Sequence, residues 1–279
     1  MHALTQQQVW QANIRLRFAR RGAETVLAER HHVGPLRVQR PFYPESRQVC
    51  HVYLLHPPGG LVSGDRLQVE VQVDEGARAL LTTPGAGKFY RSDGQRSVQQ
   101  HQYLDVAAGA LLEWLPQENI FFDGVQADTL TRVALRGDAG FIGWEISCLG
   151  RPASGETLRR CSLRQRFEVW RDGQPLWLER STYSDQCAVF GAGWGLRGHS
   201  VVGSLVCTGT DAQLVEQVRE AVRVEADALF GVTRLDEVLV CRYLGAQAQQ
   251  ARACLQAAWA VLRPAVQGAP ALTPRIWNT

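Results

Sequence analysis

Nowhere in these 279 residues do eighteen apolar side chains run uninterrupted, so nothing is written as a membrane-crossing helix. The opening MHALTQQQVWQANIRLRF has no apolar segment behind a cationic one, and the sequence therefore predicts neither an export signal nor a membrane partner. Charge of one sign is equally scarce. Thirty Lys and Arg face 27 Asp and Glu, interspersed to a formal net charge of +3 with no basic tail, which excludes the electrostatic footprint of a nucleic-acid binder. The seven cysteines, at 50, 148, 161, 187, 207, 241 and 254, are odd in number and contain no C-x-x-C pair. That argues against a disulfide framework and against metal knuckles, and fits a reducing cytoplasm in which free thiols serve as small core residues. Internal repeats, low-complexity tracts and a Pro/Gly/Ser linker are also missing, so the chain reads as one unit.

Apolar residues make up 45% of the chain, ample for a large core. From about residue 12 to about residue 205 the dominant signal is period-two alternation. In RLQVEVQVDEG, Leu67, Val69, Val71 and Val73 oppose Gln68, Glu70, Gln72 and Asp74; in FIGWEISC, Ile142, Trp144, Ile146 and Cys148 repeat the pattern. RFEVWRDGQPLWLERS predicts a hairpin turning at Asp172-Gly173. With turn signals at Gly76, Gly109 and Gly137-Asp138, this predicts a mainly β fold of many largely antiparallel strands, either a sandwich or a helically wound, β-helix-like stack. Past residue 210 the period changes. One helix is expected from Thr210 or Asp211 to Gly231, a strand over TRLDEVLVCRYL, and a second helix from Ala246 to Arg263, stopped by Pro264. The expected organisation is a β body over 1–209, a helix-strand-helix element over 210–263 packed on it, and an extension over 264–279.

The stretch LLTTPGAGKFYRS invites a phosphate-loop reading. A P-loop needs a leading glycine where Thr82 stands and a hydroxyl where Phe89 stands, and a helix should follow. Here the continuation RSDGQRSVQQHQYLDV is turn-rich and then strand-like, so the loop reads as a bend between strands that exposes Lys88, Tyr90 and Arg91. Histidines give no better metal signal: His31 and His32 face opposite sides of a strand, and Cys50, His51 and His56 lack ligand spacing.

Six segments, in order from about residue 31 to the end, carry a resemblance: HVGPLRVQRPFYPE, LLHPPGGLVSGD, TTPGAGKFYRS, LEWLPQENIFFDG, CLGRPASGET and PRIWNT. Together they resemble the UreD family of urease accessory proteins, called UreH in some species, with Val125 standing where alanine is expected. The resemblance implies a many-stranded β fold with a small helical element. It further implies a non-enzymatic, cytoplasmic nickel-insertion chaperone that binds apo-urease and joins UreF and the GTPase UreG, with UreE delivering nickel. No tightly bound cofactor is implied, and nickel is a transient passenger.

A metal that must cross a protein interior needs ligands of intermediate strength, and hydroxyls, amides and scattered carboxylates suit this better than a His/Cys cage. By motif position the candidates for such a path are Thr82, Thr83, Glu118, Asp123 and Glu156. The competing structural readings are a turn for Asp123, a surface ion pair with Arg159 or Arg160 for Glu156, and ordinary strand positions for the threonines. Partner-binding candidates are Trp194, set among turn formers, and Arg275 and Trp277 in the terminal motif, which the resemblance places toward UreF. The alternative function is a β-sandwich carbohydrate hydrolase using paired carboxylates, for which Glu113 and Glu145 lie in tryptophan-containing strand segments.

Overall fold

At Ala77, Ala110 and Ala139 the chain makes the same move. A β-turn closes on each alanine N–H, which donates to Asp74 O, Ala107 O and Arg136 O respectively, and a glycine with positive φ (Gly76 63°, Gly109 66°, Gly137 52°) takes the sharp bend. Each turn folds the chain from one sheet directly into a second sheet rather than back along the first. These three corners, between strands whose sequences alternate as expected, generate the architecture.

The computed structural model describes residues 10–278; residues 1–9, the first half of the stretch searched for an export signal, and 279 lie outside the described residues. In chain order the strands are β1 (Gln11–Arg21), β2 (Glu24–Val33), β3 (Arg37–Val38), β4 (Val49–Leu55), β5 (Arg66–Val73), β6 (Arg78–Thr82), β7 (Gly87–Phe89), β8 (Val98–Val106) and β9 (Leu111–Leu115). They continue as β10 (Asn119–Phe121), β11 (Val125–Leu135), β12 (Gly140–Arg151), β13 (Glu156–Thr157), β14 (Cys161–Arg171), β15 (Gln174–Ser184), β16 (Val201–Thr208), β17 (Leu229–Leu235) and β18 (Val238–Gly245). The helices are α1 (Gln213–Ala221) and α2 (Ala248–Gln267).

The fold is mainly β, as the alternation predicts, and the choice between sandwich and wound stack falls to the stack. Successive long strands alternate between two sheets. In a seven-stranded sheet β1, β5, β8, β11 and β14 are parallel, flanked by antiparallel β2 and β15. In an eleven-stranded sheet β4, β6, β9 and β12 are parallel, and antiparallel β16, β18 and β17 extend one side. The expectation of largely antiparallel pairing is therefore corrected: the sheets are mixed, with parallel centres. Alternation reports which face is buried and is blind to strand direction. The turn signals at Gly76, Gly109 and Gly137 are corners between sheets, while Asp172-Gly173 is the hairpin expected.

Burial follows the layering. The first sheet has one wet face, so β5 alternates exposed and buried residues; the second is covered on both faces, so β9 is buried at every position. One apolar core, with Phe18, Val71, Leu104, Val133 and Phe141, fills the space between the sheets. Another, with Trp144, Leu205, Val218, Leu255 and Trp259, lies between the second sheet and the helices.

The C-terminal element departs from expectation in three places. Helix α1 stops at Ala221, and Leu229 opens β17 instead of closing the helix; Asp211 does cap it, accepting from the Gln213 and Leu214 N–H groups at 2.9 and 3.1 Å. TRLDEVLVCRYL is two strands, turning at Asp236 with φ 49°. Pro264 does not stop α2, which runs one turn further to Gln267. The proline forfeits one backbone donor and its ring crowds the Ala260 carbonyl, a cost confined to one turn, while Gly268 (φ 73°) supplies the actual stop by donating to Pro264 O at 3.0 Å.

Candidate functional site

Within the apolar space between the sheets, a band of polar side chains runs across the strands. On the inward face of the first sheet, Gln100, Thr129, Gln165 and Ser181 share one register row, and Gln102, Thr131, Phe167 and Glu179 share the next. Facing them, Glu145 and Ser204 pair on β12 and β16, with Ser147 two residues beyond Glu145. Two contacts join the sheets here: the Thr131 hydroxyl is hydrogen bonded to both Gln102 Oε1 and Glu145 Oε1, and Gln165 Nε2 donates to Ser147 Oγ at 2.9 Å.

Glu145 forms part of the wall of two cavities. One, of about 220 Å3, is bounded also by Gln100, Gln102, Thr83 and Lys88. The other, of about 40 Å3, lies toward Ser147, Gln165, Glu179 and Ser204. Burial pushes the Glu145 carboxyl up to about 7, with the nearby Glu179 charge adding to the rise and the Thr131 hydrogen bond opposing it. At neutral pH this carboxyl is therefore divided between its protonated and ionised forms.

Three of the sequence motifs converge on the larger cavity. His56 and Pro58 to Gly60 of the HPPGG segment, Thr83 to Lys88 of TTPGAGK, and Pro116, Gln117 and Asn119 of LPQEN all line it. Two glycines allow the loops to approach this closely. A Cβ at Gly60 would lie 2.5 Å from the Tyr90 ring and 2.8 Å from Lys88 O, and one at Gly87 would lie 2.4 Å from Asn119 Oδ1. GAGK leads into the short strand β7, paired with β10, and no helix N-terminus follows it. It is a cavity wall, in keeping with the bend read from the sequence.

The residues singled out by motif separate into groups. Thr83 lines the larger cavity, donates to Gly85 O at 3.2 Å and accepts from the Gln117 N–H at 2.9 Å. Thr82 is buried beneath the C-terminus, donating to Leu115 O at 2.5 Å and accepting from Trp277 Nε1 at 2.8 Å. Glu118 is tied to Arg252 of α2 at 2.7 Å. Asp123 accepts from the Arg159 and Arg160 N–H groups at 3.0 and 2.8 Å and from the Arg160 guanidinium at 2.7 Å; against its burial, these bonds hold its carboxyl down to about 2. Glu156 pairs with Arg151 and accepts the Asp123 N–H at 3.0 Å. These three carboxylates are engaged by arginines and do not converge. Among the described residues, no group of three or more His, Cys, Asp or Glu is arranged to hold a metal ion. Burial pushes the Cys148, Cys161 and Cys241 thiols up to about 12, which keeps them protonated.

Glu145 appears in the sequence reading only as one half of a hydrolase pair, and Gln102, Thr131, Ser147, Gln165, Glu179 and Ser204 do not appear at all. A signal existed: in β8, Gln100 and Gln102 interrupt the inward phase set by Val98, Leu104 and Val106, and Glu145 does the same between Phe141 and Leu149. The hydrolase pair itself is not assembled. Glu113 points to the helix side, accepting from Trp259 Nε1 at 2.7 Å, while Glu145 points to the opposite face of the same sheet.

Of the partner-binding candidates, Trp194 is 77% exposed on its loop and Arg275 is exposed. Trp277 instead packs on Trp144 and Trp259, with ring centres 5.6 and 6.0 Å away. Replacing this half-buried ring by Trp277→Ala is expected to cost about 2 kcal/mol, below the range for a fully buried tryptophan, read as a lowered urea midpoint. An unchanged midpoint would mean the ring only rests on the surface.

The sequence matches the family described as UreD urease accessory protein over residues 11–278. A protein named urease accessory protein UreD from Alcanivorax borkumensis is 47% identical over 275 residues, covering 97% of this chain and 92% of that protein. Urease accessory protein UreD 2 of Brucella anthropi is 45% identical over 271 residues, covering 97% and 98%. Urease accessory protein UreD of Dechloromonas aromatica is 45% identical over 277 residues, covering 97% and 95%. No helix among the described residues is long and apolar enough to cross a membrane.

Proposed function

This chain belongs to the UreD family of urease accessory proteins, and from that premise we propose that it is a non-enzymatic cytoplasmic scaffold which passes nickel toward apo-urease along the polar band between its two sheets. In this reading it works in a complex with UreF and the GTPase UreG, and UreE supplies the metal. Nucleotide chemistry belongs to the partner, in keeping with a GAGK loop that lines a cavity.

The observation that carries the proposal is Glu145, a carboxyl shared by two cavities within a polar band that crosses an apolar core. A divalent ion stripped of water cannot enter such an interior alone, and oxygen donors spaced along the band offer partial replacement for its hydration shell. Nickel binds imidazole and thiolate tightly, so a band of hydroxyls, amides and isolated carboxylates lets it move on. Glu145 adds a further device: because its proton exchanges near neutrality, metal arrival releases a proton and metal departure takes one back. Thr83 belongs to the same route, on the wall of the larger cavity. Glu118 acts through Arg252, holding the segment from Gln117 to Asn119 that borders it, whereas Asp123 and Glu156, held by their own arginines, lie outside the lining of both cavities. Trp194 and Arg275 are exposed anchors for partner contact.

Ser204→Leu tests this reading. It replaces a hydroxyl beside Glu145 by an apolar branch that fills the band without adding charge. Co-expressed with apo-urease, UreF and UreG at limiting nickel, the variant is expected to lower urease activation several-fold while still being captured with its partners. Full activation by a folded variant would end the passage reading.

A further inference from the structure

The first sheet ends at β15, whereas the second continues outward through β18 and β17. The polar band therefore reaches the protein surface between β15 and β18, where its rows end in Glu179 on one sheet and in Arg242, paired with Ser204, on the other. These two residues meet across the gap. Arg242 Nη2 lies 3.3 Å from Glu179 Oε1, and the guanidinium carbon sits 5.1 Å from the centre of the Trp177 ring. The Arg242 side chain is 55% exposed against 21% for Glu179, so the guanidinium covers the carboxylate from the solvent side. Glu179 Oε2 is buried and has no hydrogen-bond partner among the described residues. Behind it lies the cavity of about 40 Å3 whose walls include Glu145, Ser147 and Ser204.

Resting on the passage reading, we propose that Arg242 is the resident cation at this end of the route: it occupies Glu179 while the band is empty and is displaced when a divalent ion arrives there from between the sheets. Three features of the contact fit that role. An ion pair with so exposed a guanidinium is weak, so displacing it is easy. A monovalent guanidinium cannot match a divalent ion for two carboxylates, Glu145 and Glu179, that face one small cavity. The Trp177 face, finally, gives the released guanidinium a place to rest, so the opening need not collapse into disorder. While parked, the same positive charge repels cations from the solvent, so traffic through this opening favours ions delivered from inside.

The test is equilibrium dialysis of the full chain against nickel chloride. Arg242→Gln removes the competitor and is expected to tighten nickel binding several-fold; adding Glu179→Gln should abolish the gain. Arg242→Lys, which keeps the charge, should bind as the parent chain does. If Arg242→Gln loses its fold by thermal melting, Arg242→Met, with an aliphatic stem left against Trp177, carries the same expectation. Nickel binding unchanged in the folded Gln or Met variant, or a gain that survives Glu179→Gln, would overturn the proposal. Failure of the passage itself shows differently, as normal urease activation by Ser204→Leu; if Ser204→Leu blocks activation while Arg242→Gln binds nickel like the parent, only the counter-ion role is lost.

Discussion

Arg263→Met is expected to cost the fold about 3 to 5 kcal/mol at neutral pH, the loss that follows when one partner of a buried ion pair is removed. Arg263 is fully buried within α2, and its guanidinium serves three masters. Nε donates to Glu113 of β9 at 3.0 Å, Nη2 donates to Glu45 at 2.6 Å, and Nη1 donates to Pro270 O just beyond the helix. Glu45 in turn contacts His51 Nε2 at 2.8 Å. One side chain thus joins the second sheet, the 40s loop and the segment leading to the C-terminus. Methionine matches its volume tolerably but leaves the Glu113 carboxylate dry, with only the Trp259 N–H as donor.

Burial already pushes the Glu113 carboxyl up, and the Arg263 charge opposes that rise. Without the arginine the rise is opposed only by the hydrogen bond from Trp259. The unfolded chain would then release its proton in the ordinary carboxylate range while the folded variant retained it, so the variant's deficit grows as pH rises above that range and shrinks toward acid. Urea titrations of both chains at acid and neutral pH measure this directly. Arg263→Met combined with Glu113→Gln should recover much of the loss, because the amide needs no counter-charge; a deficit independent of pH and of Glu113 would point to packing alone.

Glu145→Gln is expected to move stability the other way. The native carboxyl sits at about 7 against 4.5 in an ordinary environment. Below the ordinary value both states are protonated and the residue contributes no difference. As pH climbs, the unfolded chain ionises first, and the native state loses stability until its own carboxyl ionises near 7. Above that the full penalty applies, on the order of 3 kcal/mol. A glutamine can still bond Thr131 and carries no such penalty, so the variant should be more stable by up to that amount at pH 8 and about equal to the parent near pH 4. Urease activation at limiting nickel should fall at the same time, because the amide can neither release a proton nor neutralise the metal. A gain in stability with undiminished activation would show that the carboxylate has no part in transfer. A charge that destabilises the fold and returns only a hydrogen bond to Thr131, which a glutamine could make as well, is the physical sign that sets Glu145 apart from Asp123 and Glu118, whose charges are engaged by arginines.

Several features were legible in the chain itself. The alternation in RLQVEVQVDEG reports a strand buried on one face, and Asp172-Gly173 turns the β14–β15 hairpin with positive φ at both residues, as a two-residue loop requires. The missing anchors around GAGK, Thr82 for glycine and Phe89 for a hydroxyl, argue against a phosphate loop from residue identity alone. The band was harder to see because polar residues such as Gln102 and Thr131 are common in strands. Only when their phase is compared with Val98, Leu104 and Val133 do they stand out as inward-facing. Nor does spacing reveal that Glu118 has Arg252 as its partner, 134 residues away.

By itself the sequence determined the β character, the helical C-terminal element, the absence of a nucleotide loop and, through its ordered motifs, the family. These follow from local period, turn chemistry and residue identity, which act within a few neighbours. Tertiary structure alone decided that the central strands of both sheets run parallel, that three motifs close around one cavity, that Glu113 and Glu145 face opposite ways, and that Arg242 stands over Glu179. Each of those depends on which distant strands share a register and which face of a sheet meets its neighbour, and that is settled by the packing of the whole chain.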